Sequence, residues 1–518
     1  MKKYFFSLLA AGVLCTALPS ISHAQTAELE NIGEVVSGRI RPVRTGGAVV
    51  GYAFVYKLDN SKKGTAYRLQ LLDENLKTIG TSDFESDRSA TLIDALYEGG
   101  TVALVFEDAP QRMGVAPNQY VKTFNVETKA TTTVSYERDA EDKNSGLFGR
   151  AMAQSTNGLY DQFTTVEGEG FLTIYTSQNK NGGLGIQLIG TDGTRKWRRK
   201  LMGTDNARMD ARLLGTAGKT ILFFGSTRSS IMSRDAKNYL IGLDGATGQQ
   251  LFRKPLESQG VASEPVFVKT LPDGRALVCN MLSDADENFS SARHTGFNYG
   301  YLDQATGELT DVKTVDYSKD LASVLAMKND TKSEEGFLHI SNIIPMPDNS
   351  MMIVGEFFRR TVSAGGMAAA VLTGGNSNAA AQGTIGDLFV LRVQPDGAVA
   401  NLEKVEKAPV RVNAVTGISI GMLGRLMELA RVFDYQFTDE LEDHRKVVVI
   451  DGKLDGNASR TVSAISLHPQ KGLKIKNLTP TVENGEEYFA VPAKPGYALL
   501  MKRNKRTKRA SLQLERLD

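Results

Sequence analysis

Cysteine is nearly absent from this sequence. Of the two among 518 residues, Cys15 falls in an N-terminal leader and Cys279 alone lies in the body. Once the leader is removed no internal disulfide can form, so stability has to come from a core, which a chain of this length can bury without covalent staples. Cys279, between Val278 and Asn280 in an apolar run, reads as a small buried hydrophobe. Histidine is scarce too. His294, His339, His444 and His468 are scattered through different parts of the chain, with no HExxH, paired-cysteine or clustered-histidine spacing, so no metal signature is present. A serine or cysteine hydrolase needs a base beside its nucleophile, and no such pairing is visible. An excess of one charge is missing as well: 61 Lys and Arg against 59 Asp and Glu leave +2, which argues against a specific nucleic-acid binder. Beyond the leader no apolar run reaches the roughly 18 residues of a spanning helix, so no transmembrane segment is expected after leader cleavage.

The leader itself is informative. Lys2 and Lys3 precede an apolar stretch from Tyr4 to Leu18, and Ser22-His23-Ala24 offers small residues at the positions a signal peptidase reads. The spacing predicts a cleaved signal peptide over residues 1–24, a mature start at Gln25, and a periplasmic or secreted protein. Lipid attachment at Cys15 is disfavoured, because Leu14 stands where that peptidase wants a small side chain.

Glycine is plentiful, with 50 residues, proline modest at 15, and 41% of the chain is apolar. That composition fits a turn-rich β protein, and a repeat supports it. From Glu264, EPVFVKTL, the turn PDG, RALVCNM, a polar loop, FNYGYLD, the turn QATGE and LTDVKTVDY give four short strands with Gly/Asp turn chemistry. Related units begin near Gly46, Gly99, Gly168, Leu213, Asn342 and Arg445, and the last, from Tyr488, stops after three strands. The expected fold is all-β: one β-propeller over residues 25–518, with eight blades favoured and seven the alternative because the unit near Arg445 is irregular. A ring with an incomplete blade would expose unpaired edges. Closure is therefore expected from the N-terminal strand, placed at Asn31–Gly38, pairing with Ser511–Arg516 of the C-terminal blade.

The repeat is interrupted on what should be one face. Loops at 227–238, 283–295 and 359–386, the last carrying an insertion at 361–385 rich in Gly, Ala and Asn, join second to third strands, and such loops carry function on a rigid scaffold. Met422, Leu423, Leu426, Met427, Ala430 and Phe433 recur at helical spacing, predicting a helical insertion at 418–433 that caps the propeller. A shorter helix is expected at Asp320–Lys328.

The turn LDGATG at Leu243–Gly248 followed by Phe252, its copy LDQATG at Leu302–Gly307, and TDGTRKW at Thr191–Trp197 resemble the Asp-x-x-Thr-Gly-x-x-x-aromatic repeat of quinoprotein-type (PQQ-like) propellers. The dehydrogenases of that group stack their cofactor on a tryptophan and usually carry adjacent cysteines. Here the single tryptophan, Trp197, sits inside a repeat and no cysteine pair exists. The resemblance therefore implies architecture, and no cofactor is carried over. As a whole the chain is similar to uncharacterised secreted β-propeller-like proteins of Bacteroidota, a similarity that implies no known activity.

Candidate chemistry is thin. Asp284, Asp286 and Asn288 alternate as in a calcium loop, but Phe289 and Thr295 stand where glycine and glutamate belong. Asp451, Asp455 and Asn457 are equally incomplete, and both sets read as solvated turns, so no metal site is assigned. The sharpest feature is KRNKRTKR: Lys502, Arg503, Lys505, Arg506, Lys508 and Arg509 place six like charges within eight residues. They form the candidate anion-binding patch, for an anionic polymer or an envelope protein. A segment overlapping it, Pro495–Leu517, faintly resembles a type IX secretion tail, but its strands are needed to finish the last blade. No catalytic residue and no cofactor are assigned. The expected function is binding or scaffolding by an exported propeller; the alternative is a hydrolase or lyase acting on carbohydrate or peptide at the channel mouth, and a quinone-dependent oxidoreductase comes third.

Overall fold

The structure is a computed structural model that describes residues 26–29 and 40–518, apart from 46–47, 61–63, 88–89, 109–118, 137–161, 177–182, 204–206, 230–236, 285–293, 363–380, most of 415–431, 480–485 and a few shorter breaks. Eight antiparallel sheets of four or five strands follow one another along the chain. Blade 1 spans 40–87, blade 2 90–136, blade 3 162–201, blade 4 208–255, blade 5 261–316, blade 6 337–405, blade 7 435–477 and blade 8 486–516. The first strands of neighbouring blades touch one another around the ring, those of blades 6 and 7 through Asn342 with Tyr435 and Thr438, which puts them innermost, at the axis.

Middle strands are apolar because neighbouring blades cover both their faces. In blade 4, Thr220–Arg228 (TILFFGSTR) is buried from Thr220 to Thr227, and in blade 3 every residue of Leu184–Ile189 is buried. The fourth strand is the rim, so only one side packs: in Arg195–Leu201, Trp197 and Leu201 are buried while the lysines and most of the arginines face water. Each of the eight interfaces between successive blades has its own apolar cluster. One of them sets Leu499, Met501, Leu512 and Leu514 of blade 8 against Ile40, Tyr52 and Phe54 of blade 1. That contact closes the ring with side chains, each worth roughly 1.5–3 kcal/mol when fully buried.

The backbone also closes it, but through a different segment from the expected one. Thr26–Leu29 pairs antiparallel with Ala510–Gln513 and completes blade 8 as its outermost strand. Asn31–Gly38 lies outside the described residues. Path length explains the correction. The chain must cross from the rim of blade 8 to Ile40 on the innermost strand of blade 1, three strand spacings of roughly 4.8 Å. A closing strand that ended at Gly38 would leave Arg39 alone for the crossing, and one residue reaches at most about 3.6 Å.

The remaining expectations resolve locally. The C-terminal strands Tyr497–Asn504 and Arg509–Arg516 are the two middle strands of blade 8. At the blade 6 insertion, strands Met351–Val362 and Ala381–Val393 run on into the loop and pair as far as Val362↔Ala381. A third strand, Val410–Ala414, joins the extended half through Ala381–Ile385. Within 418–433 the described residues Leu423, Gly424, Met427 and Glu428 are helical. Leu423, Met427 and Phe433 bury against Phe358 and Ile385, fastening this segment to the hairpin. The helix expected at Asp320–Lys328 is instead a single 3-10 turn, Leu321–Ser323, followed by a two-stranded ribbon that includes Met327–Asn329. Asp320 supplies no side-chain cap and the chain turns out at Val324, so the α-helix never starts.

Candidate functional site

Strand direction sorts the loops. In every blade the connection from second to third strand and the crossing to the next blade leave on one face, here the loop face, while the short turns lie on the other. The basic patch is on the loop face, at the hairpin between Tyr497–Asn504 and Arg509–Arg516. The structure divides it. Lys502 and Arg503 belong to the strand, not to the turn, and meet acidic residues of the first strand: Lys502, opposite Tyr488, reaches Glu486 at 2.7 Å, and Arg503 approaches Glu487, opposite it, at 3.9 Å. The hydrogen bond to Glu486 holds the Lys502 ammonium above its ordinary range. The tip is an Asx turn, with Asn504 Oδ1 accepting from the backbone N–H of Arg506 and Thr507, each at 3.0 Å. Arg506 and Arg509 are exposed, while Lys505 and Lys508 lie outside the described residues.

Ion pairs also tie first strands together around the axis. Arg41 of blade 1 bonds Asp94 and the Ala95 carbonyl of blade 2. Arg212 of blade 4 bonds Glu264 at 2.8 Å and the Pro265 carbonyl at 2.9 Å in blade 5. Within blade 4, Arg228 bonds Asp210 at 2.6 Å. Each of these three carboxylates serves an arginine.

Beneath the blade 6 hairpin lies a buried charge network that no sequence pattern marks. Lys407 Nζ bonds Glu356 and, at 2.7 Å, Asp434, and all three side chains are wholly excluded from solvent. Glu356 accepts the backbone N–H of Asp434 and Tyr435, at 3.0 and 3.2 Å. Asp434 extends the network to Arg460 at 2.8 Å, and Arg460 reaches Asp451 at 2.8 Å. Burial pushes the Glu356 and Asp451 carboxyls up. Gly452 is required here, since a Cβ would stand 2.7 Å from Asp434 Oδ2. The network pins the start of blade 7 to blade 6.

The histidines do not converge. His339 stacks on Phe433 with centroids 3.9 Å apart, His294 lies 3.9 Å from Glu264, and His444 bonds Glu440 in an exposed turn. Of the two incomplete calcium patterns, Asp284 ends a strand and Asp451 is held by Arg460; Asp286, Asn288, Asp455 and Asn457 lie outside the described residues. Among the described residues no group of three or more His, Cys, Asp or Glu is placed to hold a metal ion. Cys279 is fully buried and its thiol is pushed up by burial.

Several solved structures align with this chain at low similarity. The β-propeller domain of the Trilobed protease from Pyrococcus furiosus aligns over 86% of this chain and 99% of its own, with TM-score 0.36 and 8% identity. A Synechocystis apocarotenoid oxygenase mutant aligns over 82% and 89%, with TM-score 0.38 and 12% identity. The tricorn protease aligns over 88% and 36%, with TM-score 0.35 and 10% identity. No curated protein matches the chain in sequence. The model of a family of unknown function (DUF6770) matches residues 1–518, and the chain belongs to that family.

Proposed function

We propose that this chain is an exported, non-catalytic binding or scaffolding propeller whose loop face takes up an anionic polymer. The observation that carries the reading is the blade 8 hairpin: the turn between its two middle strands leaves Arg506 and Arg509 exposed on the loop face, with Lys505 and Lys508 beside them in sequence. Crowded like charges repel one another unless solvent, salt or an anionic partner screens them. Glu486 and Glu487 offset the two charges nearest the strand, Lys502 and Arg503. Among the described carboxylates of the first strands, Asp94, Asp210 and Glu264 each bond an arginine, which favours the binding reading over a hydrolase or lyase.

Binding of the full chain to polygalacturonate, at low and at physiological salt, tests this. The expected result is weak binding that falls as salt rises, and that is lost when Lys505, Arg506, Lys508 and Arg509 all become serine. Equal affinity at both salt concentrations, or an unchanged serine variant, would leave the hairpin a solvated turn. Export is tested separately by intact mass: the mature chain should begin at Gln25 and carry no lipid.

A further inference from the structure

We propose that the axis beside blades 5, 6 and 7 is a binding site for a small carboxylate, gripped by Lys269 and by a hydroxyl of the Tyr435–Thr438 pair. Lys269 stands on the innermost strand of blade 5, Val261–Thr270. Side chains alternate along a strand. Val268 packs toward Gly215 of blade 4, and Lys269 accordingly points to blade 6. There its Nζ meets the Asn342 side-chain oxygen at 3.4 Å, the outer limit of a hydrogen bond. No carboxylate lies within ion-pair distance of it among the described residues. Burial and the nearby Lys446 both disfavour its charge.

Asn342, itself buried, spends both amide protons, one on Tyr435 Oη at 2.8 Å and one on Thr438 Oγ1 at 2.9 Å. The two hydroxyls lie 3.1 Å apart, so one donates to the other. Each oxygen has now accepted from the amide, and one hydroxyl proton is left without an acceptor among the described residues. Lys269 likewise has ammonium protons to spare. Everything left over around this amide is a donor, and Lys269 is the cation here without an anion: its neighbour Lys446 bonds Glu440, whereas Lys269 has no such counterpart. A half-buried cation without an anion is costly. A carboxylate supplies the negative charge and two acceptor oxygens at once. Lys269, Tyr435 and Thr438 each keep partial exposure, so a ligand entering along the axis can reach them.

The test is isothermal titration of the full chain with acetate and succinate, at matched ionic strength, with inorganic phosphate as the comparison. At least one carboxylate should bind better than phosphate. Lys269→Gln should weaken it at least about tenfold, the worth of a charge-assisted hydrogen bond. The double variant Tyr435→Phe with Thr438→Val should weaken it several-fold. Melting curves of each variant separate lost binding from lost fold. The serine variant of the blade 8 hairpin should bind carboxylate like the parent, so this proposal and the polymer reading fail independently. No heat from either carboxylate, phosphate binding as tightly, or an unaffected Lys269→Gln variant would overturn it.

Discussion

Trp197, on the outer strand of blade 3, donates its indole N–H to the carbonyl of Gly245 in blade 4 at 2.8 Å. Its ring fills the space where a Cβ on Gly248 would stand, 2.7 Å away. The arrangement repeats one blade on: Phe252 occupies the space beside Gly307, where a Cβ would come within 2.5 Å of its ring. Each turn is built for this by its aspartate, since Asp244 Oδ1 accepts from the Thr247 N–H at 2.8 Å and Asp303 Oδ1 from the Thr306 N–H at 3.0 Å. The Asp-x-x-Thr-Gly turn is thus a socket for the preceding blade's aromatic.

Substitutions in that socket should grade by mechanism. Trp197→Ala removes a buried aromatic and should cost about 3–5 kcal/mol. Trp197→Phe keeps most of the packing but leaves the Gly245 carbonyl without its donor, costing roughly 1–2 kcal/mol. Gly248→Ala combines positive φ, here 69°, with overpacking and should cost roughly 2–4 kcal/mol. Denaturation midpoints decide it, and a Gly248→Ala protein as stable as the parent would refute the socket.

Removing residues 1–25 should leave the melting temperature unchanged, whereas removing 1–29 should lower it clearly. The second deletion takes away Thr26–Leu29 and exposes the edge of Arg509–Arg516. Equal melting of the two proteins would show that the ring closes without this strand.

Lys407→Met should destabilise by about 3–5 kcal/mol, because it leaves Glu356 and Asp434 buried without their cation. Replacing all three with apolar residues of similar size should restore much of the loss. Urea titration of the single and triple variants measures both, and a harmless Lys407→Met would mean that the network adds nothing to stability.

Glu169 gives an acid signature. Hydrogen bonds from Lys196 and then Lys219 hold its carboxyl below the usual range. A depressed folded-state pKa stabilises the protein above the unfolded value of about 4.3, and the contribution is lost as pH falls through the folded value. Lys219 is largely exposed, so the effect is small, about 1 kcal/mol at most. Glu169→Gln should be the less stable protein at pH 7 and should converge with the parent as pH falls below the usual carboxylate range. A constant offset across that range would assign the loss to packing.

The sequence alone determined the architecture. The strand–turn–strand units, their Gly/Asp turns and the three-stranded last unit were legible because middle strands are buried on both faces and turns need residues that adopt positive φ. Leu184–Ile189 and Thr220–Arg228 could hardly read as anything else. The basic hairpin was visible for the same local reason, a run of like charge. The innermost strands were the least legible part: RPVRT in blade 1 and YQFTDE in blade 7 mix polar and apolar residues, since one edge faces the axis instead of a core. Only the tertiary structure decided which N-terminal residues close the ring, because that depends on the distance from rim to axis and not on strand propensity. It also decided the two polar sites. Lys269, Asn342 and Tyr435 are up to 166 residues apart, and Glu356, Lys407 and Asp434 up to 78. Spacings of that kind leave no local pattern, and the ring of blades alone brings those side chains together.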